Sequence, residues 1–182
     1  VWDRQIEAAE RHNDPGRFTA IIGFEWSSLG TAEAPSNLHR VVMFRDGANK
    51  AGEVLPFSVF DSNDPEQLWD YMENYEELTG GGVLAIPHNG NLSNGLMFAV
   101  ERMNGQPIDR SYAETRARWE PLYEVTQIKG DGETHAFLSP TDEFADFDTW
   151  DAGNLNFSEA KTEDMLQYEY AREALKNGLK LE

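Results

Sequence analysis

The sequence predicts an α/β fold, and three observations favour that class. Segments with helical periodicity alternate with strand-like apolar runs along the 182 residues, as in folds where helices connect strands. These runs show little alternation of polar and apolar residues, which favours strands covered on both faces, in a parallel sheet or barrel. A hydrophobic content of 40% is enough for one sizeable core, so one domain is expected. The pattern alone does not choose between a barrel and an open sheet.

The first half of the chain is predicted to hold two helices and three strands. Trp2, Ile6 and Ala9 recur at helical spacing, and Asn63 to Glu66 is a helix start with a polar cap and a proline in the first turn. Three consecutive glycines at 80–82 end that second helix. The predicted ranges are a helix from 2 to about 12, strands over 18–26 and 38–45, a helix over 63–78 and a strand over 83–88.

The second half is less regular. A strand is predicted over 121–130 and an amphipathic helix over 162–177, with Gly178 as its C-terminal stop. Residues 96–103 have weak helical character, and 131–156 are expected to be mostly loop.

Composition restricts the class of partner. A formal net charge of −18 argues against nucleic acid or an anionic membrane surface, because both attract basic surfaces. It fits a divalent cation better, although acidity that serves solubility or a saline habitat is the better explanation of the bulk charge. No cysteine is present, so a metal site must use histidine and carboxylate ligands. No apolar run approaches the roughly 20 residues of a membrane span.

Four candidate ligands fall at or near the ends of predicted strands. In parallel α/β folds, ligands collect outside the carboxyl ends of the strands. Glu25, His39, His88 and Glu124 occupy such positions, and together they suit Zn, Mn or Fe. A bound ion would lower the pKa of a water toward ~7 and so support hydrolysis. The alternative is that each histidine is an ordinary hydrogen-bonded residue.

Further polar residues surround these candidates in the sequence. The amides after His88 either bind substrate or simply build a tight loop; they are Asn89, Asn91 and Asn94. Lys129 and His135 either hold an anionic group and transfer a proton or are surface residues. Arg40 is a substrate-binding candidate that points into the site or away from it, and Glu124 is better placed to orient a histidine than to bind metal.

Several sequence motifs of this chain resemble those of a known superfamily. Gly23 to Trp26, Asn37 to Val42, Ala85 to Asn91 and Tyr123 to Val125 follow one another as in the middle of the PHP (polymerase and histidinol phosphatase) superfamily. The words Phe-Arg-Asp, Ile-Pro-His-Asn-Gly-Asn-Leu-Ser-Asn-Gly, Gln-Ile-Lys-Gly and Leu-Ser-Pro-Thr-Asp-Glu-Phe-Ala resemble one large bacterial family of unknown function within it. This resemblance covers nearly the whole chain.

The resemblance implies a distorted (β/α) barrel of seven strands with divalent metals at its mouth. It assigns metal binding to Glu25, His39 and His88, with His88 at the catalytic centre, and it implies a metal-dependent hydrolase of phosphoester bonds. Two alternatives stay open: a metal hydrolase of amides or lactones, and a ligand-binding or scaffolding domain without turnover. The resemblance also favours an exported or periplasmic location.

The opening His-x-His and closing Asp-x-His motifs of the superfamily do not occur here, since all four histidines stand alone. Residues 1–182 are therefore expected to be a single partial domain, the interior of a PHP-like barrel incomplete at both ends. We expect such a segment to be inactive alone, to bind metal incompletely, and to self-associate through unpaired sheet edges.

Overall fold

The structure, a computed structural model, describes residues 1–181. Short 3-10 turns occur at Gly90–Leu92 and Leu166–Tyr168. The helices and strands are, in chain order, α1 (Trp2–His12), β1 (Gly23–Gly30), β2 (Pro35–Phe44), α2 (Ala48–Ala51), α3 (Pro65–Thr79), β3 (Val83–Pro87), α4 (Arg110–Trp119), β4 (Thr126–Gln127), β5 (Gly130–Asp131) and α5 (Ala171–Leu181).

The larger sheet is antiparallel, so the predicted (β/α) barrel is wrong. Strands β1, β2 and β3 lie side by side in that order, and each is antiparallel to its neighbour. Strands β4 and β5 form a separate two-stranded antiparallel sheet. The connection between β1 and β2 is only residues 31–34, whereas parallel neighbours need a crossover of a dozen or more residues. Only the mixture of helices and strands survives from the predicted class.

The error comes from an alternation that the sequence conceals. Within β1, every second side chain is buried, while Glu25 and Leu29 are exposed. A polar residue, Ser28, takes one of the buried positions and donates a hydrogen bond to a backbone carbonyl at 2.8 Å. The predicted strand over 18–26 starts five residues before β1, so residues outside that strand masked the two-residue period that marks a one-sided sheet.

The hydrophobic core covers one face of the larger sheet. Side chains of α1 and α3 pack there against buried residues of β1, β2 and β3, and an edge-on aromatic contact joins Phe44 and Tyr75 at 4.7 Å between ring centres. The main members are Trp2, Ile6, Phe24, Trp26, Val42, Phe44, Leu68, Trp69, Met72, Tyr75 and Ala85. The opposite face, which we call the outer face, carries no helix of this cluster.

Helix α3 confirms its prediction closely. The carboxylate of Asp64 accepts a hydrogen bond from the Glu66 N–H at 2.9 Å, and Pro65 opens the first turn. The helix ends at Gly80, whose φ of 60° lies in the left-handed region that favours glycine. This helix returns the chain to the sheet, so that β3 pairs with β2 and delivers His88 to the sheet edge.

The second half departs more from expectation. The predicted strand over 121–130 shrinks to the two residues of β4, and residues 96–103 contain no helix. The last helix, α5, begins only at Ala171, because Leu166 belongs to a separate 3-10 turn. It also continues through Gly178, the residue predicted to end it. None of the helices described in residues 1–181 is both long enough and apolar enough to cross a membrane.

Candidate metal site

Glu25, His39 and His88 converge on the outer face of the sheet. The Oε1 atom of Glu25 lies 2.8 Å from His39 Nδ1 and 3.3 Å from His88 Nε2. One ligand atom from each residue lies within 4.8 Å of the other two. The three residues come from β1, β2 and the end of β3, so the sheet itself assembles the group.

Strand register explains why residues so distant in sequence meet. Ser27 pairs directly with His39, and Glu25 lies two residues from Ser27 on the same face. On the other side of β2, the His88 N–H donates to the His39 carbonyl at 3.1 Å, which continues the β2–β3 ladder by one residue. Both histidines are largely buried, whereas the Glu25 side chain is 47% exposed. The site is therefore open to solvent from the Glu25 side.

The spacing of the donor atoms suits a divalent cation. Two ligand atoms bound tetrahedrally to one ion at ~2.0–2.2 Å lie roughly 3.4 Å apart. The Nδ1 of His88 lies 3.4 Å from the Ile86 carbonyl oxygen and its Nε2 lies 3.3 Å from Glu25 Oε1, so metal binding through Nε2 requires the tautomer with the proton on Nδ1. The Nε2 lone pair of His88 then faces the Glu25 carboxylate, and the two repel unless a cation or a proton lies between them. The residues present fit a metal ion.

Electrostatics favour the ligand forms of two members. Burial raises the pKa of the Glu25 carboxyl, but the neighbouring His39 and His88 lower it by more, so the net pKa is lowered. Burial lowers the pKa of His39, and this effect exceeds the opposing influence of Glu25. An ionised carboxylate and a neutral imidazole are the forms that bind metal.

Two amide side chains hold the His39 ring. The Nδ2 of Asn89 lies 3.1 Å from His39 Nδ1, and its Oδ1 accepts from Gln127 Nε2 at 2.6 Å. The Nδ2 of Asn37 lies 3.4 Å from His39 Nε2, and its Oδ1 accepts from the Leu155 N–H at 2.7 Å. Because each amide oxygen is used elsewhere, each amide presents its NH₂ group to the ring, and a neutral imidazole accepts a hydrogen bond from only one of the two.

The other two predicted asparagines serve the loop. Asn91 Nδ2 donates to the Lys129 carbonyl at 3.0 Å, and Asn94 Nδ2 donates to the carbonyls of Pro35 and Glu159, both at 3.3 Å. Their amide NH₂ groups therefore bond to backbone, away from the three ligands. Of the three predicted asparagines, only Asn89 contacts the metal site.

Lys129 lies near the site, whereas Glu124 and Arg40 do not contact it. The Lys129 ammonium is close enough to His39 to contribute to its lowered pKa, and it forms no ion pair within residues 1–181. Glu124 is exposed and reaches β3 through its backbone N–H, which donates to the Pro87 carbonyl at 3.1 Å. Arg40 lies on the core face, where its Nε donates to Glu120 at 3.0 Å. The structure therefore gives no support to a substrate-binding role for Arg40.

His135 lies apart from the three ligands in a polar contact of its own. Its Nε2 lies 3.0 Å from Asp151 Oδ1, and its Nδ1 accepts the Phe137 N–H at 3.1 Å. Both ring nitrogens thus have partners within the chain, and the anion-binding or proton-donating role of His135 stays a prediction. A cavity of 250 Å³ adjoins this pair.

Sequence reasoning missed several residues around the site. Asn37 and Gln127 contact the site through their amides; both lie in the motifs Asn37 to Val42 and Gln-Ile-Lys-Gly, but those motifs assigned them no role. Lys161 and Glu169, which hold the loop after His88, are also new. One signal was available for Lys161, because it is the only lysine or arginine between Lys129 and Arg172.

The fold and site define a mixed α/β protein whose antiparallel sheet carries a candidate three-ligand metal site. The chain matches, over residues 1–182, the family described as "Protein of unknown function (DUF3604)", and it belongs to that family. Comparisons with curated proteins and with solved structures gave no match.

Proposed function

We propose that this chain carries the metal site of a metal-dependent hydrolase that acts on phosphoester bonds. The observation that carries the proposal is the convergence of Glu25, His39 and His88 within 4.8 Å. Three protein ligands leave a coordination position for water or substrate, which is typical of catalytic rather than structural sites. Zn, Mn and Fe accept this donor set. Such an ion, when bound, supplies a water of lowered pKa and polarises a phosphoryl oxygen.

The residues beside the ligands favour an anionic substrate. Lys129 provides a positive charge near His39, and it forms no ion pair in the described chain. The Asn89 NH₂ group, oriented by Gln127, adds a hydrogen-bond donor at the same place. In a chain with a net charge of −18, an anion needs such a local set of donors to bind. Lys129 and Asn89 are the substrate-binding residues of this proposal.

The resemblance to the PHP superfamily points to the same chemistry and is part of the proposal. It rests on sequence words around the three ligands, and these words lie on the strands that assemble the site. The proposal does not include the barrel, because the sheet is antiparallel.

Hydrolysis of aryl phosphomonoesters and phosphodiesters by the full-length protein tests the proposal. Activity should require added Zn, Mn or Fe and should fall at least 100-fold in His88→Ala, because His88 is a ligand of the metal. The matched control is His12→Ala, since His12 is an exposed histidine on α1. That variant should retain full activity.

Two results would contradict the proposal. One is ester hydrolysis that His88→Ala leaves unchanged. The other is stoichiometric metal binding without turnover of any phosphoester, which would favour a binding domain or, if amides or lactones are cleaved, a different hydrolase. A Lys129→Met variant adds a substrate test, because it should raise KM for phosphoesters more than it lowers kcat.

A further inference from the structure

A buried lysine ties the loop after His88 to the C-terminal region. The Lys161 ammonium is only 4% exposed and meets three oxygens: the Asn91 carbonyl at 2.7 Å, the Trp150 carbonyl at 2.5 Å and Glu169 Oε2 at 2.8 Å. The ammonium donates hydrogen bonds to the two carbonyls, whereas its contact with the Glu169 carboxylate is an ion pair. One of these oxygens belongs to the loop that carries His88.

Glu169 holds the same loop at a second point. Its carboxylate is fully buried, and its Oε1 accepts the Gly95 N–H at 3.3 Å. The loop also lies directly against the backbone here, because a Cβ atom at Gly90 would overlap the Glu169 carbonyl oxygen. Burial raises the pKa of Glu169, and the Lys161 ammonium opposes that rise. The pair therefore contacts the loop at Asn91 and at Gly95.

The loop needs such support because its own conformation is unfavourable. Asn89 has a φ of 65° and Asn94 a φ of 50°, and both values lie in the left-handed region that side-chain-bearing residues adopt at some cost in free energy. The loop contains only one short 3-10 turn, Gly90–Leu92. Its first residues nevertheless supply the metal ligand His88 and the amide that holds His39. Contacts from outside the loop must fix its shape.

We infer that Lys161 and Glu169 form a positioning pair that fixes the 88–95 loop and thereby sets His88 and Asn89 in place for metal binding. This inference rests on the proposed metal site. Neither residue touches the ligands themselves, so both act through the loop backbone.

The energetics of buried ion pairs make this role separable from a stabilising one. Replacing both members of a buried pair by neutral residues is often neutral for stability, whereas removing one member leaves an uncompensated charge and is strongly destabilising. A pair that served stability alone would influence metal binding only to the extent that the fold is lost. A positioning pair influences metal binding even where stability is restored.

The experiment compares Lys161→Met with the double variant Lys161→Met/Glu169→Gln. In the double variant, the amide oxygen introduced at position 169 still accepts the Gly95 N–H, but the ammonium that holds Asn91 is gone. We expect the double variant to be more stable to urea than the single one, because it buries no unpaired carboxylate. Both should bind Co²⁺ about 10-fold more weakly than wild type, or worse, as when groups that support metal ligands are lost. The visible spectrum of bound Co²⁺ should also change in both.

The control removes an ion pair away from the loop. Arg102 lies 2.9 Å from Glu66, and Arg102→Met/Glu66→Gln should leave Co²⁺ affinity and the Co²⁺ spectrum unchanged. The inference is overturned if the Lys161→Met/Glu169→Gln protein binds Co²⁺ with wild-type affinity and spectrum, or if affinity simply follows stability across the set.

Failure of the proposed metal site can be distinguished from failure of the positioning role of Lys161 and Glu169. If wild-type protein binds no Co²⁺, the proposed function fails, and amide hydrogen exchange in the metal-free protein still tests the pair. Exchange at Leu92 and Ser93, whose N–H groups bond within the loop, should then be faster in the double variant. Unchanged exchange at these two residues would overturn the positioning role.

Discussion

The two faces of the β1–β2–β3 sheet use the same strands for different purposes. On the core face, β2 presents Val42 and Arg40, which are almost fully buried. On the outer face, the neighbouring residues Val41 and His39 lie at the surface or at the candidate metal site. Adjacent residues of β2 therefore face opposite sides of the sheet: one stabilises the fold, and the next is available for function.

Each face also holds a charged cluster, and the clusters differ in how they are satisfied. On the core face, Glu120 accepts from Arg40 at 3.0 Å, from Trp69 at 2.9 Å and from Arg116 at 3.0 Å, so its carboxylate is surrounded by donors. On the outer face, Glu25 faces two histidines that a metal ion can join. A cluster complete within the chain contributes to stability, whereas one that needs an added cation is suited to binding.

Glu120→Gln is expected to cause the largest loss in the free energy of unfolding. It leaves the Arg40 and Arg116 guanidiniums without a counter-charge in the core, and breaking such a pair costs about 3 kcal/mol or more in the free energy of unfolding. Metal affinity of the folded variant should not change. Urea unfolding at pH 7 measures the effect. The control is Glu76→Gln, which removes a partly exposed partner of the half-exposed Arg118 and should cost less than about 1 kcal/mol. Equal losses for the two variants would contradict the contrast between buried and exposed pairs.

Acid should reduce the difference in unfolding free energy between wild type and Glu120→Gln. Burial raises the pKa of Glu120, but Arg40 and Arg116 lower it by more, so the pKa in the folded protein lies below the ordinary 4.5. A lowered folded-state pKa gives a contribution to stability that is complete above the unfolded value and is lost as pH falls through the folded value. The difference in unfolding free energy between wild type and Glu120→Gln should therefore be constant from pH 5 to 8 and shrink below about pH 4.5. A difference that grows on acidification would contradict this assignment.

Two neighbouring valines give a smaller and sharper comparison. Val42 is fully buried on the core face and Val41 is 37% exposed on the outer face. Threonine has nearly the shape of valine but adds a hydroxyl, which costs about 1–3 kcal/mol where it is buried without a partner. Val42→Thr should therefore destabilise by that amount, and Val41→Thr by less than about 0.5 kcal/mol. Thermal or urea unfolding measures both losses. A larger loss in Val41→Thr than in Val42→Thr would mean that the two faces of the sheet are wrongly assigned.

The site could be predicted from sequence better than the fold that builds it. Glu25, His39 and His88 stand in recognisable motifs, and such motifs do not depend on strand direction; Glu25 and His39 lie within β1 and β2, not at strand ends as predicted, and His88 directly follows β3. The barrel was wrong because Ser28 takes a core position and Leu29 an exposed one, which hides the alternation of a one-sided antiparallel strand.

Other parts of the site depend on contacts that no local pattern encodes. Lys161 meets Asn91 across 70 residues of sequence, and Gln127 meets Asn89 across 38. Hydrophobic periodicity says nothing about such pairs, because they are polar and lie in loops. The role of His135 depended in the same way on Asp151, whose contact with the ring only the structure shows.

Metal titration of the chain tests the central claim most directly. Equilibrium dialysis against Zn²⁺ or Mn²⁺ should show saturable binding in wild type that disappears in Glu25→Gln and His88→Ala, while His12→Ala binds as wild type does. Glu25→Gln and His12→Ala should unfold at urea concentrations similar to that of wild type, because Glu25 is half-exposed and His12 is exposed. Wild-type binding that persists in Glu25→Gln and His88→Ala, or no saturable binding in wild type, would contradict the account.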